Sequence, residues 1–162
     1  MSDLQQLMFS HHRPGRVEWL SFRPVKHSPV QVVTELNVDP VHGIVGDHYQ
    51  GSSGNRHVTI MQYEHLAVLQ SILQVPVDPC LLRRNFLISG INVHALRVSQ
   101  FRIGSQVVLA GTGDCHPCSR MEQNLGYGGY SAMRGHGGIT CRVVQGGKIK
   151  VGDRVTILTP LA

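Results

Sequence analysis

The chain has 162 residues, of which 41% are hydrophobic and 15% are charged. That length predicts one domain, which buries about two thirds of its unfolded surface and needs no disulfide or metal to fold. The apolar content excludes a disordered chain, and no apolar run approaches the roughly 18 residues of a membrane span. We see no secretory signal, so we expect a cytoplasmic protein whose four cysteines are reduced.

The basic residues suggest an anionic ligand. The net charge is +5, and twelve of the fifteen basic side chains are arginine. Arginine favours planar, bidentate contacts to phosphate or carboxylate groups, although a solvated basic surface would have the same composition. Arg83 and Arg84 form the only adjacent pair of arginines, and no basic run is interleaved with aromatic residues. We therefore expect no nucleic-acid partner and no membrane partner.

The first half of the chain predicts strands around one helix. We expect residues 1–15 to be a flexible terminus and residues 16–162 to form a single domain. The patterns predict strands over 17–22, 30–33, 57–61 and 86–88, a loop over 42–56 and a short helical turn over 79–84. In the first strand we expect Val17, Trp19 and Ser21 to share one face. A helix over 63–73 should place Leu66, Leu69, Ile72 and Leu73 on one face, and Pro76 ends it. Cys80 reads as an inert, buried thiol.

The second half contains a local pattern that occurs twice. Residues 103–108 resemble residues 151–156, and each segment reads as a glycine turn that enters a strand. A further strand is expected over 139–144, and the stretch between 111 and 138 is the least regular. Together these signals predict a mainly β fold, a barrel of short strands with a few short helices.

Cys115-His116-Pro117-Cys118 is a CxxC motif with three possible interpretations. As half of a zinc site it lacks a second CxxC, and although Cys141, His136 and His48 could complete the site, their spacing fits no familiar zinc finger. As a thioredoxin-like redox pair it stands too late in the chain for that fold. In the third interpretation one thiolate binds a soft metal or attacks an electrophile.

Two other segments are candidates for binding. Gly43 and Gly46 in the segment 43–48 permit a turn whose backbone N–H groups face an anion. The Arg83-Arg84-Asn85 run combines two cations with an amide, which suits a phosphate beside an amide-bearing ring. A solvated arginine pair followed by a capping asparagine is the alternative.

Six segments in a fixed order resemble the MOSC domain family, which is named after the C-terminal part of molybdenum cofactor sulfurases. The resemblance covers roughly residues 16–158. It implies a β-rich barrel with a few short helices, in agreement with the strand pattern. The segments are Gly-Ile-Val-Gly-Asp-His (43–48), Arg-His-Val-Thr-Ile-Met (56–61), Leu-Arg-Arg-Asn-Phe-Leu-Ile-Ser-Gly-Ile-Asn (82–92), Phe-Arg-Ile-Gly (101–104), Cys-His-Pro-Cys-Ser-Arg-Met (115–121) and Gly-Gly-Lys-Ile-Lys-Val-Gly-Asp (146–153).

The resemblance implies binding of a molybdenum–pterin cofactor through a cysteine thiolate. The cysteine of the family's Pro-Cys step matches Cys118, which would be both the metal ligand and the catalytic residue, whereas Cys115 matches a position that only some members fill with cysteine. Pyridoxal phosphate binding is implied only at the level of the family. The residues expected to line the cofactor pocket are Arg83, Arg84, Asn85, Asp47, Thr59 and Gly46. A thiolate is a soft ligand suited to molybdenum, and arginines suit the pterin phosphate.

The function that the resemblance implies is reduction of small N-oxygenated compounds such as N-hydroxylated bases or hydroxylamines. Electrons would come from a separate reductase, because the four cysteines lack a ferredoxin spacing. The alternatives are a cofactor carrier or sulfur-relay protein that uses a cysteine persulfide, and a thiol oxidoreductase that uses Cys115 and Cys118. The sequence leaves the oligomeric state open.

Overall fold

A closed barrel of seven strands forms the centre of the fold in the computed structural model, which describes residues 1–160. The strands are β1 (Gly15–Phe22), β2 (Gln31–Val33), β3 (Glu35–Asp39), β4 (Gly43–Ile44), β5 (Val58–Gln62), β6 (Phe86–Ser89), β7 (Ser99–Ile103), β8 (Val107–Asp114), β9 (Ile139–Gln145), β10 (Gly147–Lys150) and β11 (Arg154–Pro160). Around the barrel the order is β11-β7-β8-β9-β5-β6-β1, and pairing of β1 with β11 closes it. β2 extends the sheet beyond β1, and β10, β3 and β4 form a second sheet. The prediction of a mainly β barrel is confirmed.

Short helices connect these strands. They are α1 (Asp3–Met8), α2 (His65–Leu73), α3 (Ser119–Leu125) and α4 (Gly129–Met133), with 3₁₀ helices over Pro79–Leu82 and Val93–Val98. No helix among residues 1–160 is both long and apolar enough to span a bilayer. The segment 1–15, for which we predict a flexible terminus, contains α1, none of whose residues is buried, and the first residue of β1.

Two apolar clusters hold the fold together on opposite faces of the barrel wall. Ile60 and Phe86 point into the barrel, and their neighbours Met61 and Leu87 point outward under the helices. Successive side chains of a strand point to opposite faces, so a strand buried on both sides reads as a continuous apolar run. β5 and β6 are such strands, and they pair in parallel.

The alternation expected in β1 is wrong because the strand contains a bulge. The register of β1 against β6 shifts between Val17 and Trp19. Val17 and Leu20 face the barrel interior, while Trp19 packs against the outer cluster. An extra residue in one strand moves every later side chain to the other face.

Two other predictions in the helical segments are also wrong, namely that Ile72 shares the face of the leucines in α2 and that Cys80 is buried. Leu69 is buried in α2, and Leu66 and Leu73 pack against the outer cluster, but Ile72 is 54% exposed. These three leucines already fill the one side of the helix that meets the barrel. Cys80 is only half-buried, because it lies on a single turn of 3₁₀ helix at the surface.

The repeated glycine turns enter strands, as predicted. Gly104 and Gly152 have φ of +66° and +95°, and the chain continues from them into β8 and β11. β3 and β4 lie where the sequence predicted no strand, and α3 and α4 lie in the stretch between 111 and 138 that the sequence indicated as the least regular.

Candidate functional site

A cavity of about 320 Å³ opens at the end of the barrel where β1 and β8 finish and β5 and β6 begin. Five chain segments form its wall, and we call it the arginine pocket. They are Arg23 after β1, the 47–49 turn, residues 56–59 at the start of β5, residues 83–85 before β6, and the 115–121 segment. Of the residues predicted for the site, Asp47, Thr59, Arg83, Arg84, Asn85, Cys115 and Cys118 line this pocket.

The two cysteines of the CxxC motif occupy different environments in the pocket wall. Cys118 is exposed and immediately precedes α3, whereas Cys115 is buried directly after β8. The backbone N–H of Cys115 donates to the carbonyl oxygen of Gly138 at 2.9 Å. Cys118 therefore presents an accessible thiol, and Cys115 belongs to the frame that positions it.

Arg84 also helps to hold the cysteine segment in place. It is 6% exposed, and its guanidinium donates to the carbonyl oxygens of Gly137 at 2.8 Å, Leu82 at 2.9 Å and Cys115 at 3.3 Å. Three of its five N–H groups are thus committed to backbone oxygens, so Arg84 ties the cysteine segment to the barrel.

Asn85 and Thr59 form a second fixed contact in the wall. The Asn85 Oδ1 accepts from the Thr59 backbone N–H at 2.9 Å and from the Thr59 hydroxyl at 3.0 Å. The Asn85 Nδ2 donates to the Ser21 carbonyl oxygen at 3.2 Å. These bonds join β1, β5 and the residue before β6, and they leave the second Nδ2 hydrogen free to meet a ligand.

Asp47 positions the chain that follows β1. Its carboxylate accepts from the backbone N–H groups of Arg23 at 2.9 Å and Tyr49 at 3.1 Å. The Nδ1 of His48 lies 3.0 Å from the Arg23 carbonyl oxygen and donates to it. Gly46 is exposed, with φ of +89°, and permits the turn into Asp47 without itself lining the pocket.

Positive charge dominates the pocket. Five arginines line it, against the single carboxylate of Asp47. Arg23, Arg56 and Arg120 were not singled out from the sequence, because each stands alone in its segment. The excess of arginine in the composition was the only available signal. Burial lowers the pKa of Arg23 and the nearby charge of Arg120 adds to this, while Asp47 opposes both.

Comparison with known proteins settles the family. The sequence model described as the MOSC domain matches residues 38–156. The chain belongs to the MOSC domain family. The resemblance seen in the sequence is thereby confirmed, and the family is associated with binding of the molybdenum cofactor.

Solved structures share the MOSC fold. The YuaD protein of Bacillus subtilis is similar with a TM-score of 0.75 and 21% identity, covering 88% of this chain and 94% of that one. YiiM from Geobacillus stearothermophilus has a TM-score of 0.73 and 14% identity, covering 90% and 75% of the two chains. YiiM from Escherichia coli has a TM-score of 0.68 and 15% identity, covering 91% and 71%. Among curated proteins no sequence matches.

The pocket of this MOSC domain fits an anionic, thiolate-bound cofactor. The Nη1 atom of Arg23 is buried without a hydrogen-bond partner among the described residues. A buried guanidinium N–H without a partner is costly, and an anionic group in the pocket would satisfy it. Cys118 supplies the soft ligand in the same cavity.

The zinc interpretation of the CxxC motif has no support in the geometry. Among residues 1–160 no group of three or more histidine, cysteine or acidic side chains is placed to hold a metal ion. Cys141 is buried in β9, where burial and the neighbouring Cys115 raise the pKa of its thiol. His136 packs edge-on against His65 instead, with ring centroids 4.8 Å apart.

Proposed function

We propose that this MOSC protein reduces small N-oxygenated compounds with a molybdenum–pterin cofactor held by Cys118. The observation that carries the proposal is the exposed Cys118 thiol in a cavity lined by five arginines. A soft anionic ligand beside several cations suits a metal whose organic carrier bears a phosphate.

The chain's own residues bind and orient in this scheme. The four pocket arginines other than Arg84 would contact the phosphate. The free Nδ2 hydrogen of Asn85 would contact a carbonyl of the pterin. Arg84 and Asp47 hold the pocket segments in place through the backbone bonds described above. When bound, the cofactor supplies two-electron chemistry.

The overall reaction consumes two electrons and two protons. The N–O bond of the substrate breaks, one proton completes the water that leaves with the oxygen, and the other proton forms a new N–H bond on the nitrogen. The four cysteines lack a ferredoxin spacing, so we propose that a separate reductase supplies the electrons.

Substitution of Cys118 tests the proposal. Cys118→Ala should abolish molybdenum retention and substrate reduction in protein made by a host that synthesises the cofactor, because the variant lacks the thiolate. The fold should survive, because the side chain is exposed. Cys80→Ala is the matched control, since Cys80 is half-buried and lies outside the pocket.

Metal content, thermal unfolding and reduction of benzamidoxime are measured for both variants. Full molybdenum occupancy in Cys118→Ala would contradict the ligand assignment. Retained metal without any reduction in the wild type would favour a cofactor carrier. Cofactor-free protein that reduces a disulfide, and loses this activity in Cys115→Ser and in Cys118→Ala, would favour a thiol oxidoreductase.

A further inference from the structure

A second cavity of about 190 Å³ lies against the CxxC segment. Cys115 and His116 line both cavities, so the two spaces adjoin along this part of the chain. We call the second cavity the histidine pocket, because its wall includes His65, His94 and His116. The proposed function assigns it no role.

The walls of the histidine pocket suit a flat organic molecule. Val93 and Pro117 supply apolar surface, and the imidazole rings supply flat faces and nitrogen atoms. Gly137 and Gly138 also line it.

The charge of the pocket differs from that of its neighbour. Asp114 is the only formally charged lining residue among those described, and it is paired with the Arg97 Nη1 at 2.9 Å. The Nδ1 of His94 lies 3.5 Å from the other oxygen of Asp114. Burial lowers the pKa of His65, and the nearby charge of His136 adds to this. No arginine or lysine lines this pocket among the described residues, and burial of an unpaired charge is costly.

The volume limits the ligand to about one ring. Pockets for drug-sized molecules usually span about 300–1,000 Å³. A cavity of 190 Å³ is smaller than this range. The ligand is therefore compact as well as uncharged.

We propose that the histidine pocket binds the organic body of the substrate, an uncharged molecule of about one ring whose N–O group reaches past His116 into the arginine pocket. This inference rests on the proposed function, because it treats the ligand as the substrate. It adds that phosphorylated or carboxylated N-oxygenated compounds are poor substrates.

Binding to the cofactor-free full chain tests the site without turnover. Benzamidoxime, an uncharged one-ring N-oxygenated compound, should shift the imidazole NMR signals of His65 and His94, and calorimetry gives its Kd. Its 4-carboxy analogue should bind at least tenfold more weakly, because its carboxylate would find no free cation in the pocket.

Two tryptophan variants provide the matched comparison. His65→Trp enlarges a side chain in the pocket wall, and His42→Trp makes the same change at an exposed histidine that lines neither pocket. His65→Trp should raise the Kd for benzamidoxime at least tenfold, and in cofactor-loaded protein it should raise KM with unchanged molybdenum content. His42→Trp should alter neither. If His65→Trp does not fold, the NMR shifts of the wild type and the comparison with the 4-carboxy analogue still test the inference.

The results separate this inference from the proposed function. Reduction of benzamidoxime by loaded protein, with no shift at His65 or His94 and no preference over the carboxylate, would overturn the inference and keep the reductase. Binding at His65 and His94 without reduction by loaded protein would support the ligand site and overturn the reductase.

Discussion

Arg83 and Arg84 look equivalent in the sequence but have different roles in the molecule. Arg84 is buried and bound to three carbonyl oxygens, whereas Arg83 is only partly buried, lines the same pocket and has φ of +59°. Hydrogen bonds to backbone oxygens make Arg84 part of the fold. Arg83 remains available to a ligand.

The pair can be separated by alanine substitution. Arg84→Ala should lower the free energy of unfolding by about 3 kcal/mol or more, because several buried carbonyl oxygens lose a charged donor. Arg83→Ala should leave stability within about 0.5 kcal/mol. It should instead weaken cofactor binding by about one to two decades, the value of a hydrogen bond to a charged group. Urea unfolding and cofactor titration measure the two effects, and similar stability losses in both variants would contradict the distinction.

The candidate residues that stand in a sequence motif are brought together in one pocket. Cys118, Asn85 and Asp47 stand in short segments typical of the family, and all three line the arginine pocket. Arg23 and Arg120 come from separate loops, and only closure of the barrel brings them together. No local pattern in the sequence indicates that these two arginines lie close together.

At the scale of elements, glycine turns fix how the strands enter the site. Gly138 has φ of +85° and precedes β9, where its carbonyl oxygen accepts from the Cys115 N–H. A Cβ atom at Gly138 would collide with the Ile60 backbone. The position requires glycine for its backbone angle and for the close approach of β5.

Two alanine variants separate these requirements. Gly128 has φ of +86°, and a Cβ atom there would meet nothing within 4 Å. Gly128→Ala should therefore cost only the strain of a left-handed backbone, about 1–2 kcal/mol. Gly138→Ala should cost clearly more and move Cys115, because backbone atoms of β5 cannot yield as a flexible side chain would. Thermal unfolding of both variants tests this expectation, and equal losses of stability would contradict it.

The strands themselves were largely predictable, and their faces were not. Alternation and glycine turns located β1, β5, β6, β9 and β11 to within a few residues. The bulge in β1 is set by its pairing with β6, a strand about seventy residues away in sequence, so Trp19 could not be placed from its own neighbours. Long-range pairing decides register.

At the scale of the whole molecule, the fold brings many of the arginines together at one end of the barrel. The net charge is +5, and five of the twelve arginines converge on one cavity while the histidine pocket next to it has only a paired carboxylate. The field of a protein attracts ligands of opposite charge most strongly in a cleft lined by one sign of charge. The two pockets should therefore respond differently to salt.

This difference is measurable with two simple probes on the cofactor-free chain. Inorganic pyrophosphate should bind the arginine pocket, and its Kd should rise severalfold between about 50 and about 500 mM NaCl. Over this range the Debye length falls from above about 10 Å to well below it, so ion pairs in the pocket are screened. Benzamidoxime in the histidine pocket carries no charge, so its Kd should change less than about twofold, as expected when no ion pair is screened. Arg120→Ala should weaken pyrophosphate binding and leave benzamidoxime unaffected, because Arg120 lines only the arginine pocket of the two. An equal salt response of both ligands would mean that they share one site, and the assignment of two electrostatically distinct pockets would then be wrong.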